Sequence, residues 1–135
     1  MHLVKQIEDM ELQLSEWRQD LHAHPELGFE EHRTSDFVAS KLEEFGVEVH
    51  REIGKTGVVG VLRQGNETRS IGLRADMDAL PISETNEFSH KSKNPGKMHA
   101  CGHDGHTVML LAAAKYLAES RSFSGQVNFI FQPAE

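Results

Sequence analysis

A second cysteine is missing from these 135 residues. No internal disulfide can form, which fits a reducing compartment. Long apolar runs are missing too. Nothing approaches the ~18 consecutive residues that span a bilayer. The charged stretch from Met1 to Asp20 holds no apolar segment of the kind that directs export. The expected location is the cytoplasm, with no membrane partner. Basic runs are also absent. Fourteen Lys and Arg stand against 21 Asp and Glu, a net charge of −7. That balance argues against nucleic acid or an anionic membrane surface as a partner. There is no internal repeat and no low-complexity segment. What remains is 38% hydrophobic and 26% charged, enough for one domain with a modest core.

The single cysteine is not placed at random. Met98-His99-Ala100-Cys101-Gly102-His103-Asp104-Gly105-His106-Thr107 gathers it with three histidines and an acid. Ligand types this dense point to a metal ion or a reactive thiol. In an extended loop, residues i and i+2 face the same way, so Cys101 and His103 can share one ion. Taken alone the pattern is weak. A solitary cysteine is often a small core residue, and a solitary histidine a satisfied polar one.

The flanks give this stretch a setting. Leu3, Ile7, Met10, Leu14, Trp17 and Leu21 step by 4, 3, 4, 3 and 4. That spacing predicts one helix of about five to six turns, ended by His24-Pro25. A second helix is expected from a Thr34 or Ser35 cap, with Gly46 just past its end. Val47 to His50 alternates as a short strand. Gly57 to Arg63 and Ser70 to Arg74 read as strands, and their short connection predicts antiparallel neighbours. Residues 76–106 lack periodicity, and a loop of that length is usually functional or mobile. Thr107 to Ala118 is apolar nearly all round, a buried helix. Its N-terminus would favour a thiolate at Cys101. Gln126 to Phe131 is a last strand.

Strand 70–74, helix 107–118 and strand 126–131 form a βαβ unit, which makes the two strands parallel. Parallel strands end at one edge, and ligand sites in open α/β sheets lie outside that carboxyl edge. Asp76 and Asp78 follow the first strand, Glu135 follows the last, and Cys101 and His103 lie where the loop enters the helix. Three acids are therefore expected beside the cysteine and histidine.

These residues also carry a resemblance. Arg74 to Pro81 (RADMDALP), Met98 to His106 (MHACGHDGH), Phe131 to Glu135 (FQPAE) and Arg18 to Gly28 (RQDLHAHPELG) resemble segments of the M20 metallopeptidase family. The similar branch is the aminoacylase-like amidohydrolases, which includes hippurate hydrolases. The resemblance implies an α/β fold, part of a zinc-peptidase-like catalytic domain with a mixed sheet flanked by helices. It implies one or two divalent ions (Zn, Mn, Co or Ni) and hydrolysis of the amide bond of a small N-acyl amino acid. Cys101 would bind or bridge the metals, and His103 would be a ligand. Glu135 would be the general base. Asp76 and Asp78 would supply an active-site acid and the partner of a ligand histidine. Family members are longer homodimers with further ligands and a lid and dimerisation domain. Residues 1–135 are thus expected to be an incomplete catalytic domain, inactive or nearly so alone. Two other readings stay open: a cysteine-nucleophile hydrolase using Cys101, and a metal-binding module without catalysis.

Overall fold

The computed structural model describes residues 4–135. Its elements in chain order are α1 (Lys5–Glu8), α2 (Glu11–Ala23), α3 (His32–Glu44), β1 (Glu48–Ile53), β2 (Gly57–Gln64), β3 (Ser70–Asp76), α4 (His103–Ser120) and β4 (Gly125–Gln132). The four strands form one mixed sheet in the order β1-β2-β4-β3. β1 and β2 pair antiparallel, as do β2 and β4, while β3 and β4 are parallel. No described helix is long and apolar enough to cross a membrane.

Strand alternation places the core. Val127, Phe129 and Phe131 on β4 are buried, as are Val58 and Leu62 on β2. They join Leu21 of α2, Val38 and Leu42 of α3, and Leu111 and Ala114 of α4 in one apolar cluster. The alternate β4 residues, Asn128 and Ile130, face the other way and are half-buried or exposed. α3 is capped from a distance. The Glu26 carboxylate accepts hydrogen bonds from the backbone N–H groups of Arg33 and Thr34 and from the Thr34 hydroxyl. Its far end is a Schellman turn. Val47 N–H reaches Leu42 O and Gly46 N–H reaches Glu43 O, with Gly46 at φ +78° as such a turn requires.

Four expectations need correction. The second helix starts at His32, so Thr34 and Ser35 lie within it and neither is its cap. The strands at 57–63 and 70–74 are not neighbours, because β4 lies between them. β3 exposes Ser70, Ile71, Gly72 and Arg74, which suits an edge. β4 buries Val127, Phe129 and Phe131, which suits the interior. The first apolar stripe does not make one helix. The chain breaks at Asp9 and Met10, where α1 buries no residue and no packing outweighs a break. Leu3 lies outside the described residues. The buried helix begins at His103 rather than Thr107, so His103 sits on a first helical turn and not in an extended loop.

The long loop is pinned rather than free. Leu80 and Met98 exchange two backbone hydrogen bonds of 3.0 Å, Ala79 N–H reaches Glu26 O, and Lys93 N–H reaches Ala23 O. The Asn94 amide donates to Pro25 O.

Candidate metal centre

β3 ends at Asp76, buried and beside the parallel end of β4. The ladder continues one residue further, with Met77 N–H on Gln132 O. Asp78 projects beyond the edge two residues later. α4 enters from the loop through Gly102, whose φ of +93° turns the backbone between Cys101 and His103. Thr107 in the helix's second turn donates its hydroxyl to Asp76 O. The end of β4 is tied back by Glu31, a fully buried carboxylate. It accepts from Ala134 N–H at 2.9 Å and from the Thr56 hydroxyl. The five residues singled out in the sequence, Asp76, Asp78, Cys101, His103 and Glu135, thus come to one edge.

His103 is the hub. Its Nδ1 lies 2.8 Å from the Asp78 carbonyl and 3.0 Å from Asp78 Oδ1. A carbonyl only accepts, so Nδ1 carries a proton, and in the neutral ring that metal ligation requires, Nε2 has the free lone pair. That Nε2 is 3.3 Å from Glu135 Oε2 and 3.5 Å from Asp76 Oδ2. The other Asp78 oxygen accepts Glu135 N–H at 3.3 Å. One carboxylate therefore orients the imidazole and the backbone of Glu135 together.

Single ligand atoms of Cys101, His103 and Glu135 lie within 4.8 Å of one another. Cys101 is exposed, which removes the reading of it as a core residue. Asp76, His103 and His106 form a second such group. His103 has only Nε2 to offer, so the two groups cannot each take it at once. In the second group Asp76 Oδ1 is already bonded to His106 Nδ1 at 2.7 Å. The first set offers sulfur, imidazole and carboxylate donors. That combination fits a divalent transition ion, with Asp78 behind the imidazole as an outer partner.

Electrostatics favour a cation here. Burial alone would raise the Asp76 carboxyl. The hydrogen bond from His106, the one from its own backbone N–H and the nearby imidazoles outweigh burial and hold it below the ordinary 3.8. Behind the edge lies His99, buried and with no partner among the described residues for either ring nitrogen. Burial pushes its pKa down to about 4, against the pull of Asp104 and with the push of His22 and His103. His99 is therefore a neutral ring at neutral pH.

Residues 72–135 match the model of peptidase family M20/M25/M40. The whole chain is 57% identical over 135 residues to a hippurate hydrolase of Campylobacter jejuni. Its second half is thus similar to the M20 peptidase family. An N-acyl-L-amino acid amidohydrolase of Geobacillus stearothermophilus is 48% identical over 133 residues, 96% of this chain. Among solved structures, the Bacillus subtilis YXEP protein, a dinuclear metal-binding peptidase of the M20 family, superposes with a TM-score of 0.89 at 42% identity. That match covers 95% of this chain and 36% of YXEP. The chain spans about a third of the length of the curated relatives it matches, 35% in both cases.

His106 is the site neighbour that sequence reasoning passed over. Once the helix starts at His103, the i, i+3 spacing places His103 and His106 on one face, with ring centroids 5.4 Å apart.

Proposed function

We propose that this chain supplies the metal-binding edge of an M20-type amidohydrolase that cleaves N-acyl amino acids. The observation that carries the reading is the convergence of Cys101, His103 and Glu135 in front of Asp78. Names of the relatives, hippurate hydrolase and N-acyl-L-amino acid amidohydrolase, support the substrate class: a small acid joined to an acyl group through an amide. Cys101 and His103 would hold the ion. Zinc suits thiolate with imidazole, and the carboxylate keeps manganese, cobalt and nickel in view. A divalent ion at such a site supplies Lewis acidity toward the scissile carbonyl and makes water more acidic.

The chain's own residues have separate tasks. Glu135 is the proposed general base. Its side chain is 61% exposed and its Oε2 faces His103 Nε2, so it can take a proton from water at the edge and return it to the leaving amine. Asp78 holds His103 in the tautomer whose Nε2 is free. Asp76, kept ionised, adds negative charge behind the pair and fixes His106. Cys101 acts as a ligand rather than a nucleophile in this reading, since the acids around it have no task in a thiol mechanism.

Glu135→Gln tests it in an enzyme that contains this segment. Loss of a general base lowers kcat roughly 10²–10⁴-fold, with metal content unchanged. Loss of metal, restored along with activity by excess ion, would assign Glu135 to the ligands instead. Full metal and normal turnover would remove both roles.

A further inference from the structure

The Candidate centre leaves a second buried cluster unused. His22, on the last turn of α2, has Nδ1 2.9 Å from Asp104 Oδ2 and Nε2 2.8 Å from Glu84 Oε1. The two carboxylate side chains are 0% and 2% exposed, and the imidazole 10%. Arg18 Nε stands 3.5 Å from the same Asp104 oxygen. Ionised carboxylates only accept hydrogen bonds. A ring between two of them therefore either donates from both nitrogens or shares a proton with one carboxyl. A charged network this dry is costly to break, because losing one member strands the others.

Its position matters more than its strength. Asp104 directly follows His103 on the first turn of α4. Glu84 lies in the loop that leads to Cys101, and its Oε1 also accepts Ser92 N–H at 3.2 Å. The segment after Ser92 is bonded to the end of α2, through Lys93 N–H on Ala23 O and the Asn94 amide on Pro25 O. It then returns to Leu80 through Met98, three residues before Cys101. The two elements that carry Cys101 and His103 thus meet at one imidazole, contributed by a third element that bears no ligand.

We propose that His22 is a positioning residue for the metal centre: through Asp104 and Glu84 it sets the separation of His103 and Cys101. The inference rests on the reading of Cys101 and His103 as ligands. On that reading α2 belongs to the metal site's support, although none of its residues is among the candidate ligands. Outer partners of this kind typically change metal affinity by ~10–100-fold.

Cobalt(II) titration of the 135-residue chain tests it, because the thiolate-to-cobalt absorption band reports Cys101 directly. The wild-type chain is expected to develop the band. His22→Leu should weaken cobalt affinity ~10–100-fold and alter the band. Glu84→Leu should do the same more mildly. Glu84→Gln should restore wild-type affinity and band, since an amide oxygen still accepts from His22 and Ser92. Circular dichroism and melting without metal separate folding from positioning. If His22→Leu does not fold, the Glu84 pair decides. Folded His22→Leu and Glu84→Leu chains with unshifted affinity and band would overturn the inference while leaving the centre intact. A wild-type chain with no band would overturn the Cys101 centre itself, and this inference with it.

Discussion

Two aspartate–histidine pairs stand side by side at the carboxyl edge, and they differ in everything but the pairing. Asp78 holds His103, whose side chain is 3% exposed and whose free nitrogen faces Glu135. Asp76 holds His106, whose side chain is 51% exposed. In both, a carboxylate fixes the ring through Nδ1. Only His103 has a thiol and a second carboxylate in front of it. Orientation of the imidazole is therefore common to both pairs. What sets His103 apart is the convergence of other donors on its second nitrogen.

The largest effect should fall on the two proposed ligands. His103→Ala and Cys101→Ala should each lower metal affinity by more than the ~10–100-fold typical of outer partners. His106→Ala should lower it far less. Calorimetric titration of the three variants checks this, and equal losses for His103 and His106 would break the distinction. Next come the two carboxylates. Asp78→Asn should weaken binding ~10–100-fold by loosening the His103 ring, and Asp76→Asn should weaken it less, as read in the same titration.

Smaller effects concern pH. His99 has a folded pKa of about 4 against an ordinary 6.5. The unfolded chain binds the extra proton between those values, so stability is full above pH 6.5 and falls as pH drops toward 4. The loss is on the order of a few kcal/mol. Urea unfolding across that range should show the slope, and His99→Gln should flatten it. Unfolding free energy of the wild-type chain that stays level from pH 7 to 4 would refute a neutral buried His99. Asp76 works in the opposite chemical sense with the same outcome. Its folded pKa lies below 3.8, so the stability it contributes is present above that value and is lost as pH falls through the folded pKa. Asp76→Asn should remove this acid limb. Unfolding curves at pH 5 and pH 3 compare the two, and identical acid sensitivity in wild type and variant would show that the His106 bond gives Asp76 no such role.

The sequence made the edge legible because a βαβ crossover has only one hand and one end. Asp76, Glu135 and the entry of α4 had to meet once β3 and β4 were parallel. What stayed hidden depends on atoms rather than periods. The start of α4 was obscured by Gly105 and the polar residues around it, and with it the shared face of His103 and His106. Glu84 lies in a segment with no periodicity, so nothing marked it as the partner of His22, 62 residues away. Glu31 gave no sign of its bond to Ala134. The strand order was misread because a short connection suggests a hairpin, whereas the more apolar β4 takes the interior place.

That interior place has a consequence for how the chain acquires its shape. β4 follows β2 and β3 in the chain, yet β2 and β3 each pair with it rather than with one another. The sheet cannot grow outward from a local hairpin between them. Contacts separated by about half the chain must close before β2 and β3 share one sheet, a topology that folds slowly. A nascent chain halted before Val127 displays two β-rich edges with no partner, the kind of surface that associates between molecules. Pulsed hydrogen exchange during refolding should find the amides of β2, β3 and β4 gaining protection in one step. Earlier protection of β2 and β3 would mean that a transient hairpin forms and must open to admit the strand that ends it.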